Sequence, residues 1–250
     1  MLLENIEQYW SKRSDGYSQV NKKELQSISK KKWMRCIENN DERMQRQKLR
    51  ILDIGTGPGF FSIIAAERGH DVTAVDYCES MLEEAKNNAG NLREKICFCQ
   101  MDAQQLDFKD RQFDLIVSRN VTWNLQDPQQ AYGEWYRVLK KGGILLNFDA
   151  NWYHHLFDPE KRKKYEEERI RTLKSGVEDH YIGTDIDAME DIARRLPMSK
   201  TDRPSWDMQQ LISIGFSKVL IDYRVGEEVW NVEEKINYES TPLFMIKGIK

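Results

Sequence analysis

The stretch ILDIGTGPGFF, residues 51–61, limits the possible folds more than any other. A short apolar run passes directly into a turn with glycine at alternate positions, Gly55, Gly57 and Gly59, and then into Phe60 and Phe61. A run this short and apolar reads as a buried strand, and the turn gives up side chains so that another group can approach its main chain. Strand, glycine turn and helix is how a unit of a parallel sheet begins, with ligands received at the carboxyl ends of the strands.

The rest of the chain repeats that unit. Seven apolar runs read as strands: 49–55, 71–76, 95–102, 113–120, 143–150, 217–225 and 242–250. Most are continuous rather than alternating, as strands covered on both faces should be. Helical patterns fill the gaps. FFSIIAAERG stops at Gly69, and SMLEEAKNNAG puts Met81, Leu82, Ala85 and Ala89 on one face. DPQQAYGEWYRVLKKGG starts with Asp127 as cap and Pro128 in the first turn, and SWDMQQLISIGF runs from Ser205 as cap to Gly215 as stop. The expected fold is α/β, a doubly wound, mostly parallel seven-stranded sheet. The short link between the last two runs predicts an antiparallel final hairpin at the sheet edge.

Two regions stand outside the alternation. Residues 1–47 carry a helix with Leu25, Ile28, Trp33, Cys36 and Ile37 on one face, and 151–200 is mostly charged helix with Ile186, Met189, Ile192, Ala193 and Leu196 in one stripe. We expect a helical cap segment at 1–47, a core at 48–150, a helical lid insertion at 151–200 and the remainder of the core sheet at 201–250. The run 160–174 holds seven positive and four negative residues and reads as a solvated helix face with internal ion pairs.

Composition narrows the partners. The formal net charge of −3 lacks the basic surplus of a dedicated nucleic-acid binder, so no nucleic-acid partner is expected. No apolar run approaches the ~20 residues of a membrane span, and the N-terminal stretch does not read as a secretory signal. Four scattered cysteines, Cys36, Cys78, Cys97 and Cys99, fit a reducing, cytoplasmic setting rather than a disulfide framework. Cys97 and Cys99 fall on one strand face and are expected to be buried thiols; no metal site is expected.

A dinucleotide site would place a third glycine at position 60, where the chain has Phe60. The pattern G-x-G-x-G instead suits a turn passing close to a ligand without phosphates. Asp76 ends the next strand, 21 positions after Gly55, where a carboxylate accepts hydrogen bonds from ribose hydroxyls in either cofactor class. Asp102 ends the third strand, where it and the amides that follow could meet an adenine edge.

Five pieces then come in series: LDIGTGPG (52–59), VDYCESML (75–82), MDAQQLDF (101–108), FDLIVSRNVTWNLQDP (113–128) and EWYRVLKKGGILLNFD (134–149). In order and spacing, across about a hundred residues, they resemble the class I S-adenosylmethionine-dependent methyltransferases of the small-molecule type. One departure is the KKGG turn at Lys141, where the family more often has proline. The resemblance implies S-adenosylmethionine as cofactor. It brings the backbone of Gly55, Thr56, Gly57 and Gly59 to the methionine part, with Asp53 beneath. It sets Asp76 on the ribose, Tyr77 and Met81 on the adenine faces, Asp102 and Ala103 at the adenine edge, and the Asn120 main chain near the amino group. Tyr17, in an N-terminal segment of the kind that folds over the cofactor, is a further expected contact.

The acceptor is expected to be a small molecule. Trp123 follows the fourth strand, and Trp152 and Tyr153 follow the fifth, giving an aromatic rim for substrate. Asp149, His154 and His155 are the candidate catalytic groups, a histidine taking a proton from an oxygen or nitrogen acceptor. An RNA acceptor, an NAD(P)-dependent oxidoreductase and a cofactor-holding protein without catalysis are the competing readings, and the oligomeric state stays open.

Overall fold

The computed structural model describes residues 2–181 and 184–250. Two long helices come first, α1 (Leu2–Gln26) and α2 (Ile28–Asn40), then a single turn, α3 (Arg43–Arg46). The core runs β1 (Arg50–Ile54), α4 (Phe60–Glu67), β2 (Asp71–Asp76), α5 (Glu79–Ala89), β3 (Ile96–Gln100), β4 (Phe113–Arg119), α6 (Pro128–Val138) and β5 (Leu139–Asp149). Then follow α7 (Pro159–Ser175), α8 (Ile186–Ala193), α9 (Ser205–Ile214), β6 (Lys218–Asp222), α10 (Val225–Val229), α11 (Val232–Asn237) and β7 (Phe244–Ile249).

The strands form one sheet in the order β3-β2-β1-β4-β5-β7-β6, parallel except for β7, which runs against both neighbours. The order reverses direction between β1 and β4, so the crevice of a doubly wound sheet opens at the carboxyl end of β1, where the glycine turn lies. Alternate strand residues feed two separate cores. Ile51, Val72, Leu115 and Leu146 pack with Trp33 and Ile37 of α2 and Phe61 and Ile64 of α4. Leu52, Val75, Ile116 and Leu145 pack with Tyr132 and Trp135 of α6 and Leu211 of α9. Burying both faces is why these strands read as continuous apolar runs.

A third cluster caps the carboxyl ends of the strands. Ile6 and Tyr9 of α1 meet Met189 and Ile192 of α8, together with Trp123, Leu196 and Met198. The hydroxyl of Ser18 and the amide of Asn88 hydrogen-bond, and Asn88 Nδ2 donates to the Pro58 carbonyl at 3.0 Å, so α1 is tied through α5 to the glycine turn. Among the described residues, no helix is long and apolar enough to cross a membrane.

Several details differ from the sequence reading. Residues 2–46 form two long helices and a single turn, because Ser27 caps α2 by accepting from the Ser29 amide; Ile28, just inside that cap, faces solvent. The link between the last two strands holds α10 and α11, short helices whose few residues show little periodicity. Ser205 is the first residue of α9 and Pro204 its cap. Cys97 is exposed and Cys99 half-buried, because β3 is an edge strand and its faces are only partly covered. The charged helix α7 carries Arg162–Glu166, Arg169–Asp179 and Arg171–Glu239 ion pairs.

Candidate functional site

A cleft open to solvent on one side lies at the crevice and is lined by α1 above and the ends of β1, β2, β3 and β4 below. The glycine turn forms its floor. Gly55 has φ +63, and a Cβ there would stand 2.2 Å from Val121 Cγ2. Gly57 has φ +51 with open space where its side chain would be. Both line the cleft, and at both a side chain would meet strain, collision or ligand.

Asp76 stands opposite. Its Oδ2 accepts from the Gly57 amide at 2.8 Å and its Oδ1 from the Cys78 amide at 2.9 Å, which fixes the carboxylate and leaves lone pairs toward the cleft. Burial pushes this carboxyl up to about 6, against the lowering effect of those two amides. Tyr77, Met81, Asp102, Ala103 and Asn120 line the cleft, and so does Tyr17 from α1. Asp102 is oriented by Gln104, whose amide donates to Oδ1 at 2.8 Å. Asn120 has φ +59; its carbonyl accepts from Trp123 Nε1 and its side-chain Oδ1 from Trp152 Nε1.

Other expected contacts fall elsewhere. Asp53 is buried beneath the turn and accepts from Thr56 Oγ1 at 2.7 Å, Ser62 Oγ at 2.7 Å and the Ser62 amide at 2.9 Å. It thereby occupies the N-terminus of α4, the position a dinucleotide would give to its pyrophosphate. Thr56 is buried in that same network. Gly59, with φ +93, packs against Ala85, where a Cβ would come within 3.0 Å; its role is the approach of α4 to α5.

The expected acceptor residues do not line this cleft. Trp123 is buried and lies tilted at 30° against Tyr153 with centroids 5.2 Å apart, and Trp152 meets Tyr238 edge-on. The three form an aromatic wall behind Asn120. Asp149 is fully buried: its Oδ2 accepts from Arg203 Nη1 at 2.7 Å and from the Trp123 amide at 3.0 Å, and Oδ1 accepts from the Ala150 amide. Arg203 also holds Asp207 through Nε and Nη2, and Asp207 accepts from the Tyr132 hydroxyl. An acid so fully engaged is an anchor, not a proton acceptor. His154 contacts Lys161 Nζ at 2.7 Å. His155 lies flat on Tyr165 at 4.1 Å, and burial followed by Arg162 pushes it down to about 4, too weak a base to drive proton abstraction near neutral pH. The two adjacent ring systems face different neighbours, as consecutive residues of one turn must.

Sequence reasoning passed over most of the cap lining, Leu3, Ile6, Glu7 and Trp10, and also Arg119. Arg119 pairs with Glu24 of α1 through two bonds of 2.7 and 3.0 Å, a latch between the cap and the end of β4. An arginine ending an otherwise apolar strand was its one visible signal.

The strand order and the crevice are those of a Rossmann-like sheet, roofed here by α1. Residues 52–147 match the family model described as a methyltransferase domain. YqeM of Bacillus subtilis is 38% identical over 109 residues, covering 42% of this chain and 43% of that one. The demethylmenaquinone methyltransferase of Thermus thermophilus is 34% identical over 108 residues, 42% of this chain and 49% of the enzyme. The chain thus spans about half the length of these curated relatives. A Methanococcus maripaludis protein described as an S-adenosyl-L-methionine-dependent methyltransferase shares the fold, with TM-score 0.58 at 22% identity over 94% of this chain and 91% of its own. Over residues 52–147 the chain is thus similar to methyltransferases.

Proposed function

We propose that the protein is an S-adenosylmethionine-dependent methyltransferase acting on a small-molecule acceptor. The observation that carries this reading is the pairing of Asp76 with the side-chain-free turn at Gly55 and Gly57 across one cleft. The site suits an adenosyl group without phosphates, because the Asp53 carboxyl already takes up the N-terminus of α4. Asp76 would hold the ribose hydroxyls, Tyr77 and Met81 the adenine faces, and Asp102 with Ala103 the adenine edge. Gly55, Gly57 and the Asn120 main chain would border the methionine part.

The bound donor supplies a methyl group already activated on a sulfonium. The chain's task is therefore alignment, with nucleophile and methyl carbon held ~3–3.5 Å apart in line, and exclusion of water. In this reading residues 1–47 and 151–200 are the cap, and 48–150 with 201–250 the core. The apolar contacts of Ile6, Trp10 and Tyr17 over the cleft keep water out. The relatives that act on a menaquinone precursor by name support a small acceptor, and ion pairs along α7 engage the three arginines of the basic run, Arg162, Arg169 and Arg171. The engaged state of Asp149 and His155 favours transfer that relies on orientation over transfer driven by a strong general base.

Calorimetry with S-adenosylhomocysteine, NAD and NADP tests the cofactor. Micromolar binding of the first and none of the others is expected; a dinucleotide in the cleft would overturn the reading. A tritiated-methyl screen of metabolite and RNA fractions then tests the acceptor, with label expected in the metabolites.

A further inference from the structure

Strand β3 carries Cys97 and Cys99 at alternate positions, on one face, and Met101, which also borders the cleft, follows directly after the strand in the same alternation. The two thiols are in contact, Sγ to Sγ 3.6 Å. Cys97 is exposed and Cys99 half-buried on the edge of the sheet, where no further strand pairs. Neither cysteine lines the cleft, and the methyltransferase reading uses neither.

We propose that Cys97 and Cys99 form a binding site for a soft monovalent d¹⁰ cation of the Cu(I) type, with the Met101 thioether as the third sulfur on the same face. Sulfurs ~2.3 Å from one trigonal centre stand ~4.0 Å apart, a few tenths of an ångström beyond the separation the thiols already have. The pair is thus preset to share one ion. A disulfide, in contrast, would require the sulfurs to close to ~2.05 Å and would pucker the strand between them. Thiolate and thioether donors suit soft centres, Cu(I) and zinc among them, over the oxygen-preferring cations. Structural zinc takes four ligands, and among the described residues no group of three or more His, Cys, Asp or Glu side chains is placed to hold a metal. Burial and the neighbouring thiol push Cys99 up to about 11, so its proton must be released on binding. Binding is Cu⁺ + 2 RSH → Cu(SR)₂⁻ + 2 H⁺, with no change of oxidation state. Met101 Sδ now accepts from the Asp107 amide at 3.2 Å and would exchange that contact for the ion.

The test is anaerobic titration of the reduced protein with Cu(I) against the chromophoric chelator bicinchoninate. The wild-type chain should remove one equivalent from the chelator, and so should the C78S variant. C97S and C99S should each lose that equivalent while keeping the wild-type thermal midpoint within a few degrees. M101L should retain it with affinity lowered about tenfold. Zn(II) in place of Cu(I) should bind at least a hundredfold more weakly. Retention of the equivalent in C97S or C99S, no capture by the wild-type chain, or Zn(II) binding as tight as Cu(I) would each overturn the site. The readout is independent of methyl transfer and of the cofactor assignment.

Discussion

Asp76 and Asp149 end β2 and β5, at the same edge of the sheet, and they have been given opposite surroundings. Asp76 is fixed by two backbone amides and keeps lone pairs facing the cleft. Asp149 is sealed, held by Arg203 and two amides, with Asp207, Tyr132, Asn147 and Thr122 continuing the network inward. Both carboxyls are raised by desolvation, so burial by itself does not separate a binding group from a structural one. What separates them is spare hydrogen-bonding capacity. A group meant for a ligand is oriented but left unsaturated, whereas a group that holds the fold together is paired on every side.

The sharpest test of that contrast is Arg203→Met. It leaves Asp149 and Asp207 buried without their cation, so urea unfolding should report a loss of ~3–5 kcal/mol. The folded fraction should still bind S-adenosylhomocysteine within about threefold of wild type. A stability change near zero would break the contrast from the structural side. Gly55→Ala comes next: left-handed backbone and collision with Val121 together cost ~2–4 kcal/mol, and calorimetry should show product affinity falling more than a hundredfold.

Asp76→Asn removes a charged acceptor for two hydroxyls and should weaken product binding by ~1.5–3 kcal/mol, about tenfold to a hundredfold, with little change in thermal midpoint. The pH dependence follows from the same group. Its folded pKa of about 6 lies above the value of an unfolded aspartate, so its contribution to fold stability is present at low pH and is lost as pH rises toward 6. Ligand affinity runs the other way, because the hydroxyls need the ionised carboxylate. Affinity should rise about tenfold from pH 5 to pH 7 in the wild-type chain and stay flat in Asp76→Asn. The smallest effect belongs to the histidines. His155→Phe keeps the stack on Tyr165, and His154→Gln keeps a polar group beside Lys161; each should change kcat less than threefold once an acceptor is known. A hundredfold loss in either would restore a catalytic role to that loop.

The strands and the glycine turn were readable because each rests on neighbours in the chain: apolar continuity for a doubly covered strand, absent side chains for a tight turn. The Asp127 cap and the Pro128 start of α6 were legible for the same local reason. The acceptor side was not. Trp123, Trp152 and Tyr153 read as a substrate rim because they follow strand ends, yet packing against α1 and α8 turned them into a wall. Asp149 read as a catalytic candidate because its partner, Arg203, lies 54 positions away. Cys97 looked buried because an edge strand and a central strand share one local pattern.

By itself, then, the sequence determined an alternating strand–helix core, the crevice at residues 55–59 and a carboxylate one strand over, since residues close along the chain suffice to set each. Tertiary structure alone decided which helix roofs the cleft, that Arg119 latches to Glu24, and that one strand-end aspartate stays open while another is locked. Those outcomes depend on which distant surfaces meet, and hydrophobic burial, which drives the meeting, carries no direction in the local pattern.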